Sequence, residues 1–137
     1  MAANSRLAVA AHIVSVLASH RDESVPSRTI AASVNTNPTF IRRILAALTR
    51  AGIVESAEGK TGGSRLTRCP TEISLWDLAS ALGEERLFAV HKNPVNPKCP
   101  VSRRMKDALG RAFSDAERAA EAKLRKVSVQ ELLGAGR

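Results

Sequence analysis

Asn37 followed by Pro38 narrows what this chain can become more than any other pair of residues in it. An Asn side chain accepts hydrogen bonds from free backbone donors at a helix start, and Pro at the first helical position gives up an amide that would lack a partner anyway. The pair predicts a helix over Pro38–Ala51. Its apolar face is Phe40, Ile41, Ile44, Leu45 and Leu48, and Gly52 stops it as a left-handed C-cap. Thr39, Arg42, Arg43, Ala46 and Arg50 fall on the other side. Just upstream, Pro26 and Ser27 open a short helix carrying Ile30, Ala31 and Val34, and Asn35-Thr36 make the turn. A short helix, a tight turn and a longer helix with a basic outer face form the helix-turn-helix arrangement.

The flanking segments extend this pattern. Asn4 and Ser5 offer N-caps for a first helix ending near Ser19, with Leu7, Ala10, Val14 and Leu17 on one face. After Gly52, two short extended runs, Ile53 to Ser56 and Ser64 to Thr67, surround a glycine-rich turn and read as a β-hairpin, placed where a wing belongs. Ser74 with Asp77 three residues on resembles a capping box for a short helix that buries Leu75, Leu78 and Leu82 and ends at Gly83. Asn93-Pro94-Val95-Asn96-Pro97 is loop, because its prolines block regular pairing. A long helix follows, with the apolar stripe Val101, Met105, Leu109, Phe113, Ala116, Ala120 and Leu124, continued by Val129, Leu132 and Leu133 after Ser128. At 1.5 Å per residue such a helix is roughly 37 Å long, more than a small domain can cover, so the stripe predicts a dimer interface with a second copy. The expected fold is mainly α with a small β-hairpin wing: a winged helix-turn-helix region over residues 1–83, a connecting loop over 84–98, and a dimerisation helix with a short C-terminal helix over 99–137.

Charge points to the partner. The chain of 137 residues carries 21 Lys and Arg against 13 Asp and Glu, a net charge of +8, which suits a polyanion. Residues 1–70 hold nine basic and four acidic residues, net +5, so the helix-turn-helix half is the expected phosphate-facing half. Phe40, Phe88, Phe113 and Trp76, with no Tyr, leave no stacking platform for single-stranded bases. The expected partner is therefore a double-stranded DNA operator. No apolar run approaches a membrane span and no signal-peptide order opens the chain, so a cytoplasmic protein without a membrane partner is expected.

Arg can donate two hydrogen bonds to guanine O6 and N7, and residues near the start of a recognition helix reach deepest into the groove. Asn37, Thr39, Arg42, Arg43 and Arg50 are accordingly the candidate reading residues, with base and phosphate contacts undivided among them. Ser27 and Arg28, opening the preceding helix, are candidate phosphate contacts. Gly62-Gly63 has two readings: backbone amides approaching a phosphate, or a turn that needs positive φ. Cys99, between Lys98 and Pro100 near Arg103 and Arg104, sits where a thiol pKa is lowered and is a candidate oxidant sensor; Cys69 reads as a small buried apolar residue. His12, His20 and His91 have no ligand spacing, so no metal site is expected. Gly59-Lys60-Thr61 ends like a phosphate-binding P-loop but lacks the glycine that loop needs at Val54, and no nucleophile with its base is evident. The chain reads as a non-enzyme. A protein-interaction adaptor on the same fold is the alternative.

Several stretches resemble the Rrf2 family of bacterial winged-helix transcriptional regulators over nearly the whole chain: Asn4-Ser5-Arg6-Leu7-Ala8, Val34-Asn35-Thr36-Asn37-Pro38 into Arg42-Arg43-Ile44-Leu45, Leu48 to Gly52, Gly62-Gly63, and Glu72-Ile73-Ser74-Leu75. The resemblance implies a homodimeric repressor on an imperfect palindrome, with the third helix in the major groove, the wing in the minor groove and long C-terminal helices crossing. Members with an iron–sulfur cluster carry three closely spaced cysteines before the long helix, whereas this chain has only Cys99 there, and Asn93-Pro94 through Cys99-Pro100-Val101 resembles a branch without them. No cofactor is expected. Many members have an Arg at the position of Glu58 in the wing, so the minor-groove role is moved to Lys60 or Arg65. The operator sequence and any small-molecule or oxidant effector stay open.

Overall fold

The structure is a computed structural model and describes residues 5–21, 23–57 and 62–134. Among the described residues six α-helices and one hairpin follow in chain order: α1 (Arg6–Ser19), α2 (Ser27–Val34), α3 (Pro38–Arg50), β1 (Val54–Ala57), β2 (Gly63–Leu66), α4 (Leu75–Ala81), α5 (Pro100–Leu124) and α6 (Val129–Gly134). A 3-10 turn over Pro70–Glu72 leads into α4. The architecture is the expected winged helix-turn-helix with a long C-terminal helix.

Local chemistry sets most of the boundaries. Asn37 Oδ1 accepts from the Phe40 amide at 2.8 Å and Pro38 takes the first turn of α3. Asn35 ends α2 in the left-handed conformation at φ 65°, turning the chain toward α3. Gly52 does the same after α3 at φ 77°, and the Ile53 amide closes back onto the Leu48 carbonyl at 3.0 Å. The capping box forms in full: Asp77 N–H donates to Ser74 Oγ at 3.1 Å and Ser74 N–H donates to Asp77 Oδ2 at 2.9 Å. At α1, by contrast, Ser5 occupies the N-cap without a side-chain hydrogen bond, and Asn4 lies outside the described residues.

The core is built from Ile13, Val14 and Leu17 of α1, Ile30 of α2, Ile41, Ile44 and Leu48 of α3, Ile53, Val54, Ile73 and Leu78. Val129 of α6 is fully buried in it, so after α5 the chain returns to the body and packs against α1. Two backbone hydrogen bonds guide that return, Val129 N–H to the Ile73 carbonyl at 2.8 Å and Leu75 N–H to the Val127 carbonyl at 2.9 Å.

The hairpin pairs Glu55 with Arg65 and Ser56 with Ser64, antiparallel. It is also tied to the body. Val25 N–H donates to the Ser64 carbonyl and Ser64 N–H to the Val25 carbonyl, both at 2.9 Å, so the segment before α2 acts as a third, one-residue strand. This explains Gly63. Its φ is not positive, and a Cβ there would lie 2.6 Å from the Val25 carbonyl carbon and oxygen. The close approach of another backbone, and not the positive φ that was one of the two expected reasons, demands glycine at this position.

Gly63→Ala is expected to lower stability by about 1 to 3 kcal/mol, because a Cβ at that distance forces the paired backbones apart. Gly110→Ala in α5, where an added methyl meets nothing within 4 Å, should instead raise stability by about 0.5 to 1 kcal/mol. Urea unfolding midpoints of the two variants, moving in opposite directions, check the assignment.

Candidate nucleic-acid interface

Burial of Ile41, Ile44, Leu45 and Leu48 turns the opposite side of α3 to solvent, and with it Thr39, Arg42, Arg43, Ala46 and Arg50. Helix α3 contains no acidic residue, and none of the ion pairs among the described residues engages Arg28, Arg42, Arg43 or Arg50. Arg42 Nη2 leans one turn back toward Thr39 Oγ1 at 3.4 Å, a weak contact that gives way to a partner at little cost. Asn37 is exposed, but its side-chain carbonyl is occupied by the cap, which leaves its amide nitrogen as the part able to face a partner.

A groove of about 530 Å³ runs between α3, the start of α2 and the hairpin, with Ser27, Arg42, Ala46, Arg50, Ser56 and Gly63 among its walls. Helix α2 opens at Pro26 with no side-chain cap, so its first amides and the positive end of its dipole are available to an anion beside Ser27 and Arg28. The structure therefore brings the expected helix residues to one surface. In the wing the outcome is mixed. Lys60 lies outside the described residues, and Gly62 is half-buried at their edge. Arg65 is exposed but not free, because its Nε donates to Glu55 Oε1 at 2.6 Å across the hairpin. Exposed pairs of this kind stabilise a fold by about 0 to 1 kcal/mol. Sequence reading passed over Glu55, although the hairpin register alone sets it opposite Arg65.

Cys99 caps α5: its half-buried Sγ accepts from the Ser102 amide at 3.5 Å. Cys69 corrects the expectation of a buried apolar residue. It is half-buried, and its Sγ accepts from Thr71 Oγ1 at 3.1 Å and from Arg21 Nη1 at 3.7 Å. Hydrogen bonds from Thr71, with a smaller contribution from Arg21, hold its thiol below the ordinary range. Among the described residues no three His, Cys, Asp or Glu side chains are grouped to hold a metal.

Helix α5 buries none of its residues within the chain, and Val101 and Met105 are 57% and 37% exposed. Residues 84–98 run back along it. Leu87 N–H donates to Glu117 Oε2 at 2.6 Å, Phe88 stacks on Phe113 with ring centroids 5.3 Å apart, and Asn96 N–H donates to Ser102 Oγ at 2.8 Å. The expected stripe is thereby divided. Phe113 is engaged by this strap and Leu109, Ala120 and Leu124 are half-buried, while Val101, Met105 and Ala116 stay open to solvent. No helix among the described residues is long and apolar enough to cross a membrane.

Comparison with known proteins agrees with this geometry. The model of the Rrf2 family, described as an iron-dependent transcriptional regulator, matches residues 3–135. The chain is 44% identical over 131 residues to YwnA of Bacillus subtilis (strain 168), described as an HTH-type transcriptional regulator, covering 95% of this chain and 96% of that one. A crystal structure of a DNA-binding protein shares 36% identity with a TM-score of 0.76 and covers 94% of this chain and 99% of its own. A transcriptional regulator from Lactobacillus plantarum superimposes with a TM-score of 0.80 at 27% identity, over 95% of this chain and 88% of its own.

Thiol alkylation followed against pH should show Cys69 reacting from a lower pH than an ordinary thiol. The folded pKa is depressed, so the thiolate and its hydrogen bonds are present above the ordinary thiol pKa and are lost as pH falls through the folded value. Thr71→Val, which removes the largest cause, should move the profile up; an unmoved profile would leave the lowered value without its cause.

Proposed function

The chain belongs to the Rrf2 family of transcriptional regulators, a family with a DNA-binding fold, and on that premise we propose that it is a sequence-specific repressor that binds an imperfect palindrome as a homodimer. The observation that carries this reading is the run of unpaired arginines, Arg42, Arg43 and Arg50, on the one face of α3 that the core leaves outside. A helix of that width enters the major groove, where Arg42 donates to guanine and its neighbours divide bases and phosphates. The open amides of α2, with Ser27 and Arg28, take a backbone phosphate, and Lys60 and Arg65 carry the wing's contact. Occupancy of the operator blocks transcription.

The reading surface lies within residues 1–83 and the pairing surface on α5, joined by the strap over 84–98. An unburied helix of 25 residues with Val101, Met105 and Ala116 open is apolar surface that a second copy covers, and the two reading heads then fall on half-sites about 10 bp, or a multiple of that, apart. The protein acts in the cytoplasm, where its DNA is, and is not an enzyme.

The family's description names iron, but the donor set here does not fit an iron–sulfur cluster. Clusters are held by several thiolates, and the two cysteines stand apart, Cys69 before the 3-10 turn and Cys99 at the start of α5. No cofactor enters the proposal. Cys99, at the start of the helix that joins the copies, with its sulfur accepting from the Ser102 amide and with Lys98, Arg103 and Arg104 nearby in sequence, is the proposed thiol sensor.

Binding selection on random duplex DNA should return an enriched palindrome, and sedimentation should give twice the chain mass. On the selected duplex Arg42→Ala should lose about 1 to 3 kcal/mol and relax preference at one base position, while losing less on random DNA. Equal losses on both would reassign Arg42 to phosphate. For the sensor, oxidant should modify Cys99 and weaken DNA binding, and Cys99→Ser should abolish that response; a Cys99→Ser protein that still responds removes the residue from the role.

A further inference from the structure

The four acidic residues of the first half of the chain are not spread over it. They are Asp22, Glu23, Glu55 and Glu58, two in the connection before Val25 and two in the hairpin. Helix α3 carries three arginines and no carboxylate, whereas residues 54–66 carry Glu55 and Glu58 against Lys60 and Arg65, which cancel. The wing is thus the electrically neutral part of a basic surface. Its Arg65 is also engaged, with Nε 2.6 Å from Glu55 Oε1 and both side chains about half exposed. The pair sits where the register places it, directly across the hairpin, beside Ser24, Ser56 and Ala57.

A guanidinium held by a carboxylate has to release it, or share it, before it donates to a phosphate. The freed carboxylate then faces the same polyanion and must attract a cation from solution. Each effect lowers the net gain from the contact and reduces the number of counterions released.

Resting on the DNA-binding reading above, we propose that Glu55 is an affinity-setting residue: it competes with DNA phosphate for Arg65 and so acts as an electrostatic brake on the wing. The recognition helix supplies the attraction, and the Glu55–Arg65 pair limits how much the hairpin adds to it. The ligand chemistry in question is a single backbone phosphate next to the groove that the wing enters.

The test uses the full chain and the duplex recovered by selection, with anisotropy titrations from about 0.05 to 0.2 M salt. Glu55→Gln keeps the shape of the side chain and removes its charge. It should tighten binding by about threefold to eightfold at 0.1 M salt and steepen the slope of log affinity against log salt by up to roughly 0.9, the value of one phosphate contact. In an Arg65→Gln background the same substitution should give little or none of that gain. An Arg65-independent gain would reduce Glu55 to a general repulsive charge and overturn the proposal, as would unchanged or weakened binding by Glu55→Gln. Thermal melts close to that of the unaltered chain separate these outcomes from unfolding. If the unaltered chain selects no duplex, the DNA-binding reading itself fails and takes the proposal with it; if it binds and only the coupling is missing, the proposal alone fails.

Discussion

The packing of α3 against α1 is the constraint from which the remaining structure follows. Ile41, Ile44 and Leu48 lie within a cluster with Ile13, Val14 and Leu17, all fully or almost fully buried, and burial of side chains this large stabilises by about 1.5 to 3 kcal/mol each. A helix cannot bury those residues without turning Thr39, Arg42, Arg43 and Arg50 outward, because the two sets are separated by the helical period. The candidate reading surface is therefore a by-product of the core, and its orientation is as firm as the core is. The caps at either end, Asn37 and Gly52, decide only where that helix begins and stops.

Second in importance is the tether at Val25. A wing joined to its domain by the hairpin alone would be free to swing, but reciprocal hydrogen bonds between Val25 and Ser64 hold its second strand, near the turn, against the entrance to α2. Gly63 is the residue that permits the approach. The start of α2, the outer face of α3 and the hairpin thus share one groove, so contacts made by any of them are made in a common register.

Features that depend on neighbours close in sequence were legible before the structure. The start and stop of α3, the capping box at Ser74 and Asp77, and the long amphipathic helix all follow from residues within a few positions of one another. Features that depend on distant segments were not. The reason for Gly63 lies at Val25, the smaller of the two contacts to the Cys69 sulfur comes from Arg21, and periodicity alone could not show that Phe113 stacks on Phe88 while Val101 stays bare. Arg65 illustrates the same limit for charge: its type suggested a contact with DNA, and only the pairing of the strands revealed that Glu55 already holds it.

The strap over 84–98 runs outward from the body, the chain turns at Cys99, and helix α5 returns to be fastened at its C-terminal end by Leu75, by the guanidinium of Arg125 lying 5.5 Å from the ring centre of Trp76, and by α6 in the core. An arm of 25 helical residues clamped at one end works as a ruler. In an assembled pair, its number of residues, at 1.5 Å and about 100° apiece, would set both the gap and the phase between two reading heads. In the proposed homodimer, a new operator spacing would then come from whole helical turns gained or lost in α5, far from the residues proposed to meet DNA.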